Sequence, residues 1–101
     1  MDPERISDFN ISDVVKATAG RDQGELFYVI DEDPVYLMLA NGKDRTLDKP
    51  KRKKRRHVQK VLRSETRVAA KIISGDKVLN SELRRDLAFH AGQMQANNLG
   101  G

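Results

Sequence analysis

The stretch VVKATAGRDQGELFYVI, residues 14 to 30, decides the fold. Two β-branched valines come first, a polar segment with two glycines follows, and an apolar aromatic run completes the stretch. This pattern predicts a strand at residues 13 to 16, a turn-rich loop at 18 to 24, and a second strand at 25 to 30. A strand, loop and strand of this length are typical of a small β domain.

The segments that follow also have strand length and are separated by turn signals. Residues 31 to 34 combine three acids with a proline, which predicts a turn. Residues 35 to 40 are apolar, and the Asn41-Gly42 pair after them is favoured in two-residue type I′ hairpins, so residues 44 to 47 are the expected returning strand. Several short strands at this spacing predict a mainly β fold, either a small barrel or a sandwich.

The C-terminal part of the chain has helical periodicity instead. Leu79, Leu83 and Leu87 are spaced by four, which places them on one face of a helix. We expect that helix at about residues 81 to 91, with Asn80 or the serine after it as the N-cap. The leucine face could dock on a partner protein, but we favour its covering the β domain, because a small β core is thin.

The composition is that of a charge-rich globular chain. Of the 101 residues, 38% are hydrophobic and 34% are charged, which favours a folded domain over a wholly disordered chain. There is no cysteine, so disulfides and thiolate metal sites are excluded and a reducing compartment is favoured. We find no signal-peptide core and no apolar run near the ~20 residues that span a bilayer, so we predict a cytoplasmic protein without a membrane partner.

Charge is distributed unevenly along the chain. Residues 1 to 42 carry three Lys or Arg against nine Asp or Glu, residues 43 to 56 carry nine against two, and residues 57 to 101 carry seven against four. One dense basic segment after an acidic half indicates a localised contact with a polyanion. The alternatives are a solvated strand or linker and a nuclear localisation signal.

The basic segment contains KRKKRR, residues 51 to 56, six consecutive cations that we call the basic run. Lys49 adds a nearby charge, and Pro50 keeps the entry to the run extended. In an extended chain, alternate side chains point in opposite directions, so three of the six could face one surface. Because the run has no apolar residue, we expect it outside the core, where phosphates would relieve its charge repulsion and release counterions.

Residues 14 to 30 resemble the KOW motif, which is a strand, a glycine-bearing loop and a second strand within an SH3-like barrel. The matching positions are Val14, Val15, Gly20, Arg21, Asp22, Gly24 and the apolar run from Leu26 to Ile30. Residues 40 to 59, ANGKDRTLDKPKRKKRRHVQ, look like bacterial KOW-domain RNA-binding proteins, which are related to KOW-containing large-subunit ribosomal proteins of archaea and eukaryotes. Residues 80 to 87, NSELRRDL, look like the ending of that bacterial group.

This resemblance covers residues 13 to 59 well and the rest loosely. It implies a mainly β fold, a small SH3-like barrel (KOW domain) with a C-terminal α-helix. It also implies RNA as the partner, ribosomal RNA above all, with ribosomal proteins as further candidates. The expected layout is a lead-in at residues 1 to 12, the barrel with its basic run at 13 to 62, an extension with the helix at 63 to 91, and a flexible tail at 92 to 101.

We expect RNA phosphates to contact the KOW loop, the hairpin tip and the basic run. Gly20 and Gly24 would allow positive φ or a close approach of the RNA backbone, or would only shape the turn. Arg21 would bind phosphate, or would pair with Asp22 or Glu25 on the surface. The RNA-binding residues predicted in this way are Lys16, Gly20, Arg21, Gly24, Lys43, Arg45, Lys49, Lys51, Arg52, Lys53, Lys54, Arg55, Arg56 and His57.

Aromatic residues are few, with three phenylalanines and two tyrosines. Phe27 and Tyr28 point to opposite faces of the second strand, so one should lie in the core while the other could stack on a base. The sequence leaves open which residue has which role. With so little aromatic surface, we expect recognition through the RNA backbone and shape rather than through a dedicated single-strand stacking platform.

No catalytic or cofactor site is predicted. His57 and His90 lack partners at metal-ligand spacing, and the acids at residues 31 to 33 lack the spacing of a calcium loop. The segment TAGRDQG has no Gly-Lys-Ser/Thr ending, so it is not a P-loop. We therefore expect a protein that is not an enzyme and has no metal, cofactor or small-molecule substrate. The alternative function is a protein-interaction module that uses the barrel and the C-terminal helix, for example in transcription or ribosome assembly.

Overall fold

A computed structural model of the chain describes the backbone of residues 9 to 100 and the side chains of residues 9 to 95. Most of the predicted lead-in, residues 1 to 8, therefore lies outside the described residues. The chain forms the strands β1 (Asp13–Ala17), β2 (Leu26–Glu32), β3 (Tyr36–Ala40), β4 (Lys51–Lys54) and β5 (Val58–Arg63), followed by the helices α1 (Arg67–Ser74) and α2 (Asn80–Gly100). A mainly β domain with a C-terminal helix is confirmed.

The five strands form one antiparallel sheet in the order β4-β3-β2-β1-β5. β1 pairs with both β2 and β5, so the last strand returns to lie beside the first. A short 3₁₀ turn, Arg55–His57, leads directly from β4 to β5. These two strands are the edges of the sheet and do not pair with each other, so the sheet is not closed by backbone hydrogen bonds within the described residues.

The sheet has an apolar layer on each face, because apolar residues occupy both alternating sets of positions in β1 and β2. On the inner face the buried cluster contains Phe9, Val15, Ala17, Phe27, Val29, Leu37, Leu39 and Val58. On the outer face Val14, Tyr28 and Ala40 pack against the helices through Val68, Ala69, Leu83 and Leu87. The prediction that either Phe27 or Tyr28 is available for base stacking is wrong, since they are only 1% and 0% exposed.

β2 is longer than predicted, and the turn after it is shorter. A bulge between Val29 and Asp31 keeps the strand paired with β3 as far as Glu32, so two of the three acids lie in the strand. The turn begins at Asp33, whose carboxylate accepts the backbone N–H groups of Val35 and Tyr36 at 2.8 and 2.7 Å. Those two hydrogen bonds lower the pKa of Asp33.

The predicted two-residue hairpin after β3 is wrong, because residues 44 to 47 form no strand. The returning strand is β4, and residues 41 to 50 form a folded loop before it. The Asn41 side-chain oxygen accepts the backbone N–H groups of Lys43 and Arg45, both at 2.9 Å, and the Arg45 carbonyl accepts those of Asn41 and Gly42. The Asn-Gly signal therefore builds a local loop instead of a tight hairpin turn.

A helix that the sequence did not predict, α1, precedes the predicted one. The Thr66 hydroxyl caps it by accepting the Ala69 N–H at 3.2 Å, and Gly75 ends it in the left-handed conformation with a φ of 79°. Val68 and Ala69 are buried while Ile73 remains 65% exposed. The helix is only eight residues long, and a segment this short depends on tertiary contacts to stay helical.

α2 confirms the predicted C-terminal helix but extends beyond it. Leu83 and Leu87 are buried against the sheet, whereas Leu79 is 51% exposed, so two of the three leucines cover the β domain as we favoured. The backbone is helical through Gly92 to Gly100, so the predicted end of the helix at about residue 91 is wrong. The structure contains no helix long and apolar enough to cross a bilayer within the described residues.

The start of α2 is also different from the predicted N-cap. Glu82 accepts the backbone N–H of Leu79 at 2.9 Å, as the acidic partner of a capping box does. The Asn80 side chain instead accepts the N–H of Leu47 at 2.9 Å, so it binds the loop at residues 41 to 50. Arg84 donates to the Gly42 carbonyl of the same loop at 2.6 Å, and both contacts hold this loop against the helix.

Gly42 should be intolerant of a side chain. Its φ is 77°, and an added Cβ would lie only 2.3 Å from the Asn80 carbonyl oxygen. We expect Gly42→Ala to lower the free energy of unfolding by about 2–4 kcal/mol, from backbone strain and the clash together. Gly24→Ala is the matched control, because Gly24 has a φ of 91° and no atom within 4 Å of an added Cβ. Urea denaturation that finds equal losses for the two variants would contradict the clash.

Candidate nucleic-acid interface

The basic run forms β4 and the 3₁₀ turn after it, so its backbone is an edge of the sheet. Lys53 lies opposite Leu37 and Lys51 lies opposite Leu39, which places both lysines on the inner face. Arg52 and Lys54 alternate with them and lie on the outer face. The run is therefore divided into two sets of side chains with different surroundings.

The two inner lysines bind the loop between β1 and β2. Lys53 Nζ donates to Asp22 Oδ1 at 2.8 Å and to the Ala19 carbonyl at 2.7 Å. Lys51 Nζ lies 3.2 Å from Asp22 Oδ2. We call this arrangement of Asp22, Lys51 and Lys53 the lysine clamp. Lys53 is only 8% exposed, so the prediction that the whole run lies outside the core is wrong for this residue.

Asp22 carries a negative charge in the clamp. Its burial raises the pKa, but hydrogen bonds and charge interactions with Lys53 and Lys51 outweigh burial and leave the pKa below its ordinary value. The alternative surface pair between Arg21 and Asp22 is not formed, because the carboxylate faces Lys51 and Lys53 instead. Arg21 itself is exposed.

The two loop glycines adopt a positive φ, 89° at Gly20 and 91° at Gly24, which is one of the alternatives that the sequence left open. An added Cβ at Gly20 would lie 3.2 Å from Lys53 Nζ. The close approach that Gly20 allows is therefore made by a lysine of the same chain. Gly24 has open space around it, so only its backbone conformation requires glycine.

Arg55 belongs with the paired cations. Its guanidinium forms an ion pair with Glu32 and donates through Nε to the Asp33 carbonyl at 2.8 Å. It therefore ties the chain after β4 to the turn between β2 and β3. Arg55 is consequently a structural residue in addition to being part of the basic run.

Six other cations between residues 43 and 56 have no carboxylate within ion-pair distance in the described part of the chain. We call these the unpaired cations. Five are exposed and Lys54 is half-buried. They are Lys43, Arg45, Lys49, Arg52, Lys54 and Arg56.

The folded loop, the loop between β1 and β2, and β4 meet at a groove of about 210 Å³. Arg21, Arg45 and Lys51 contribute its cations, and Asp22, Glu25 and Asp44 contribute its acids. The structure thus brings Arg21 and Arg45 together across more than twenty residues of sequence, whereas Lys43 does not line the groove. The local charge is balanced, so the positive excess lies outside the groove.

Two predicted contact residues lie at β1 and at the turn before β5. Lys16 is half-buried in β1, opposite Leu26 on one side and Gln59 on the other. His57 is half-buried at the end of the 3₁₀ turn, and its carbonyl accepts the Thr18 N–H at 2.9 Å. Both lie close to the base of the loop between β1 and β2 rather than among the unpaired cations.

A buried polar cluster lies between the sheet and α2 and was not predicted from the sequence. The Tyr28 hydroxyl contacts Asp86, lies 2.8 Å from Ser64 Oγ and lies 3.2 Å from His90 Nε2. Thr66 donates to Asp86 at 2.9 Å. The available signal was the spacing of Asp86 and His90, which puts them one helical turn apart.

This cluster is built for packing rather than for nucleophilic catalysis. Ser64 and Asp86 both approach His90 at Nε2, at 3.1 and 3.5 Å. A serine–histidine–acid relay needs them on opposite ring nitrogens. Ser64 is also only 4% exposed. Among the described residues, no group of three or more His, Cys, Asp or Glu could hold a metal ion.

No protein-family model and no curated protein matches this chain. Its functional site must therefore be judged from its own residues and geometry. The cations among those residues divide into the lysine clamp and Arg55, which have carboxylate partners within the protein, and the unpaired cations, which have none among the described residues.

The lysine clamp predicts that substitutions of two adjacent lysines differ in their effect on stability. Lys53→Gln should lower the free energy of unfolding by about 1–3 kcal/mol, because it removes a charged hydrogen bond to a nearly buried carboxylate. Lys54→Gln is the matched control and should leave stability within about 0.5 kcal/mol. Urea denaturation of both variants tests this. Equal stability of the two would mean that Lys53 is only a solvated charge.

The Tyr28 cluster predicts a loss of stability at alkaline pH. Burial, followed by the hydrogen bond to Asp86, raises the pKa of Tyr28 from 10.0 to about 12. The folded state therefore favours the neutral phenol. The resulting stabilisation is complete below pH 10 and is lost as the pH rises from 10 towards about 12.

Denaturation of the parent and of Tyr28→Phe across this pH range isolates the effect from lysine titration. As the pH rises from 10 towards 12, we expect the unfolding free energy of the parent to fall relative to that of Tyr28→Phe. A difference that stays constant would show that Tyr28 does not titrate with a raised pKa.

Proposed function

We propose that this protein binds RNA, and that phosphates contact the unpaired cations around β4. The observation that carries the proposal is that Arg52 and Lys54 on β4, and Arg56 in the 3₁₀ turn after it, have no carboxylate partner in the described part of the chain. The chain has 15 acids, yet these cations have none as a partner in the described structure. This favours binding of an anion from outside the protein. A polymer of regularly spaced phosphates suits a row of side chains along an extended strand.

The unpaired cations continue onto the folded loop through Lys43, Arg45 and Lys49. This gives a surface built from a strand edge and an adjoining loop, rather than from one disordered basic tail. A surface of this kind positions a nucleic-acid backbone but does not by itself select a base sequence. We propose that selectivity comes from RNA shape and from contacts beyond the phosphates.

We further propose that the fold is an SH3-like barrel of the KOW type. The strand order supports this, because β5 returns to pair with β1 and only the edge between β4 and β5 stays open. The lysine clamp also supports it, because side chains of β4 reach across the inner face to the loop between β1 and β2. The resemblance of residues 40 to 59 extends the proposal to ribosomal RNA, to a ribosome- or translation-associated role, and to the cytoplasm.

The alternative of a protein-interaction module is less well supported. It relied on the barrel and on a helix face of leucines, and Leu83 and Leu87 of that face are buried against the sheet. The remaining exposed apolar side chains include Val35 and Phe89, at 55% and 54%. Such side chains are common singly on protein surfaces.

Removing two unpaired cations should weaken RNA binding and its salt dependence. For the double variant Lys54→Gln with Arg56→Gln, we expect the log–log slope of affinity against salt to become shallower by about 1.4 on single-stranded RNA, since each phosphate contact contributes about 0.7. Filter-binding titrations at several salt concentrations measure both quantities. Stability should be unchanged, because neither residue has an ion pair in the described structure.

The matched control is Arg67→Gln with Lys77→Gln, which removes the same charge from exposed positions in or after α1. It should leave the slope within error of the parent. The proposal is wrong if the parent does not bind RNA. The assignment of the surface is wrong if both double variants change the slope equally.

A further inference from the structure

The outer face of β3 and β4 carries a set of side chains that the helices leave uncovered. Lys54 lies opposite Tyr36, and Arg52 lies opposite Met38. Alternation along β3 puts Tyr36 and Met38 on the same face as Ala40, which packs under the helices. Tyr36 and Met38 are only half-buried and do not belong to that packed cluster. The helical layer therefore ends before this part of the sheet.

The Arg52 guanidinium carbon lies over the Tyr36 ring, 3.8 Å from its centroid. This is contact distance between carbon atoms, so one face of the guanidinium rests on the ring. Arg52 is exposed, which leaves the other face of its guanidinium available. The tyrosine restricts the orientation of a side chain that would otherwise move freely, and it presents a planar cation at the sheet surface.

Asp31 lies opposite Met38 on this face, and its carboxylate accepts the backbone N–H of Glu32 at 2.8 Å. Two further acids, Asp33 and Glu32, are engaged as well. The Asp33 carboxylate accepts the backbone N–H groups of Val35 and Tyr36. Glu32 forms an ion pair with Arg55. Neither acid binds Arg52, although Asp33 is close enough for Arg52 to help lower its pKa. Lys54 beside the ring has no carboxylate partner among the described residues.

We propose that the Arg52–Tyr36 pair is a stacking site for one unpaired RNA base. In this arrangement the base lies on the outer face of the Arg52 guanidinium, and Lys54 binds the phosphate of the same or the adjacent nucleotide. Guanidinium planes and aromatic rings are the surfaces on which unpaired RNA bases stack. The inference rests on the proposed RNA binding and adds a preference for unpaired nucleotides to it.

The geometry distinguishes this role from a simple phosphate contact. Lysine also binds phosphate through its charge, although without the two parallel hydrogen bonds of a guanidinium, whereas a stacked base needs the guanidinium plane. Loss of those hydrogen bonds would weaken duplex and hairpin binding alike, and loss of the plane would weaken hairpin binding selectively. Because the sequence has few aromatic residues, we did not expect a dedicated stacking platform. A stacked arginine removes that objection, because it extends the planar surface with a residue that is not aromatic.

The test compares a hairpin RNA that has an unpaired loop with a fully paired duplex of equal phosphate number. Arg52→Lys keeps the charge and removes the plane, and Tyr36→Leu removes the support beneath it. Each should weaken hairpin binding by about 5- to 100-fold. Duplex affinity should change less than about 3-fold, and the salt slope for Arg52→Lys should equal that of the parent because the charge is retained.

Tyr36→Phe is the matched control, because it retains the ring and should retain parent affinity for the hairpin. Melting temperatures near that of the parent establish that each variant is folded. If Arg52→Lys and Tyr36→Leu bind the hairpin like the parent, or lose the hairpin and the duplex equally, the stacking site is wrong while RNA binding stands. If the parent binds neither RNA, the proposed function fails and this inference fails with it.

Discussion

The contact between Asp22 and the lysines of β4 is the interaction on which the rest of the site depends. It joins the loop between β1 and β2 to the opposite edge of the sheet, where no backbone hydrogen bonds close the structure. Without a carboxylate at this position, Lys53 would be a nearly buried and unpaired charge, which is costly. The clamp therefore fixes which side chains of the basic run remain available to a ligand.

The sheet is packed on both faces, and this arrangement limits where a ligand can bind. One face is filled by the inner apolar cluster, and most of the other is covered by α1 and α2. The parts that remain are the edge at β4, the adjoining folded loop, and the outer face near Tyr36. The unpaired cations lie on these parts, whereas the two lysines of the clamp lie on the inner face.

Sequence analysis predicted β1 and β2 because apolar runs separated by glycines have few other solutions in a small domain. The hairpin predicted at Asn41-Gly42 was wrong, because a strong turn signal does not show whether the returning strand follows the turn directly or only after a folded loop. Here the loop is held by Arg84 and Asn80 of α2, which are about forty residues away. α1 was also missed, because a helix of eight residues depends on tertiary contacts for its stability. The polar cluster around Tyr28 was missed as well, because its members come from segments far apart in the chain.

The sequence by itself determined the mainly β character, the helix near the end and the concentration of cations between residues 43 and 56. These are local properties, set by residue type and spacing. Only the tertiary structure decided which cations are paired, that Phe27 and Tyr28 are both buried, and that Arg52 rests on Tyr36. Pairing and stacking depend on distances between segments that are far apart in the chain, and such distances follow from the way the sheet and helices pack.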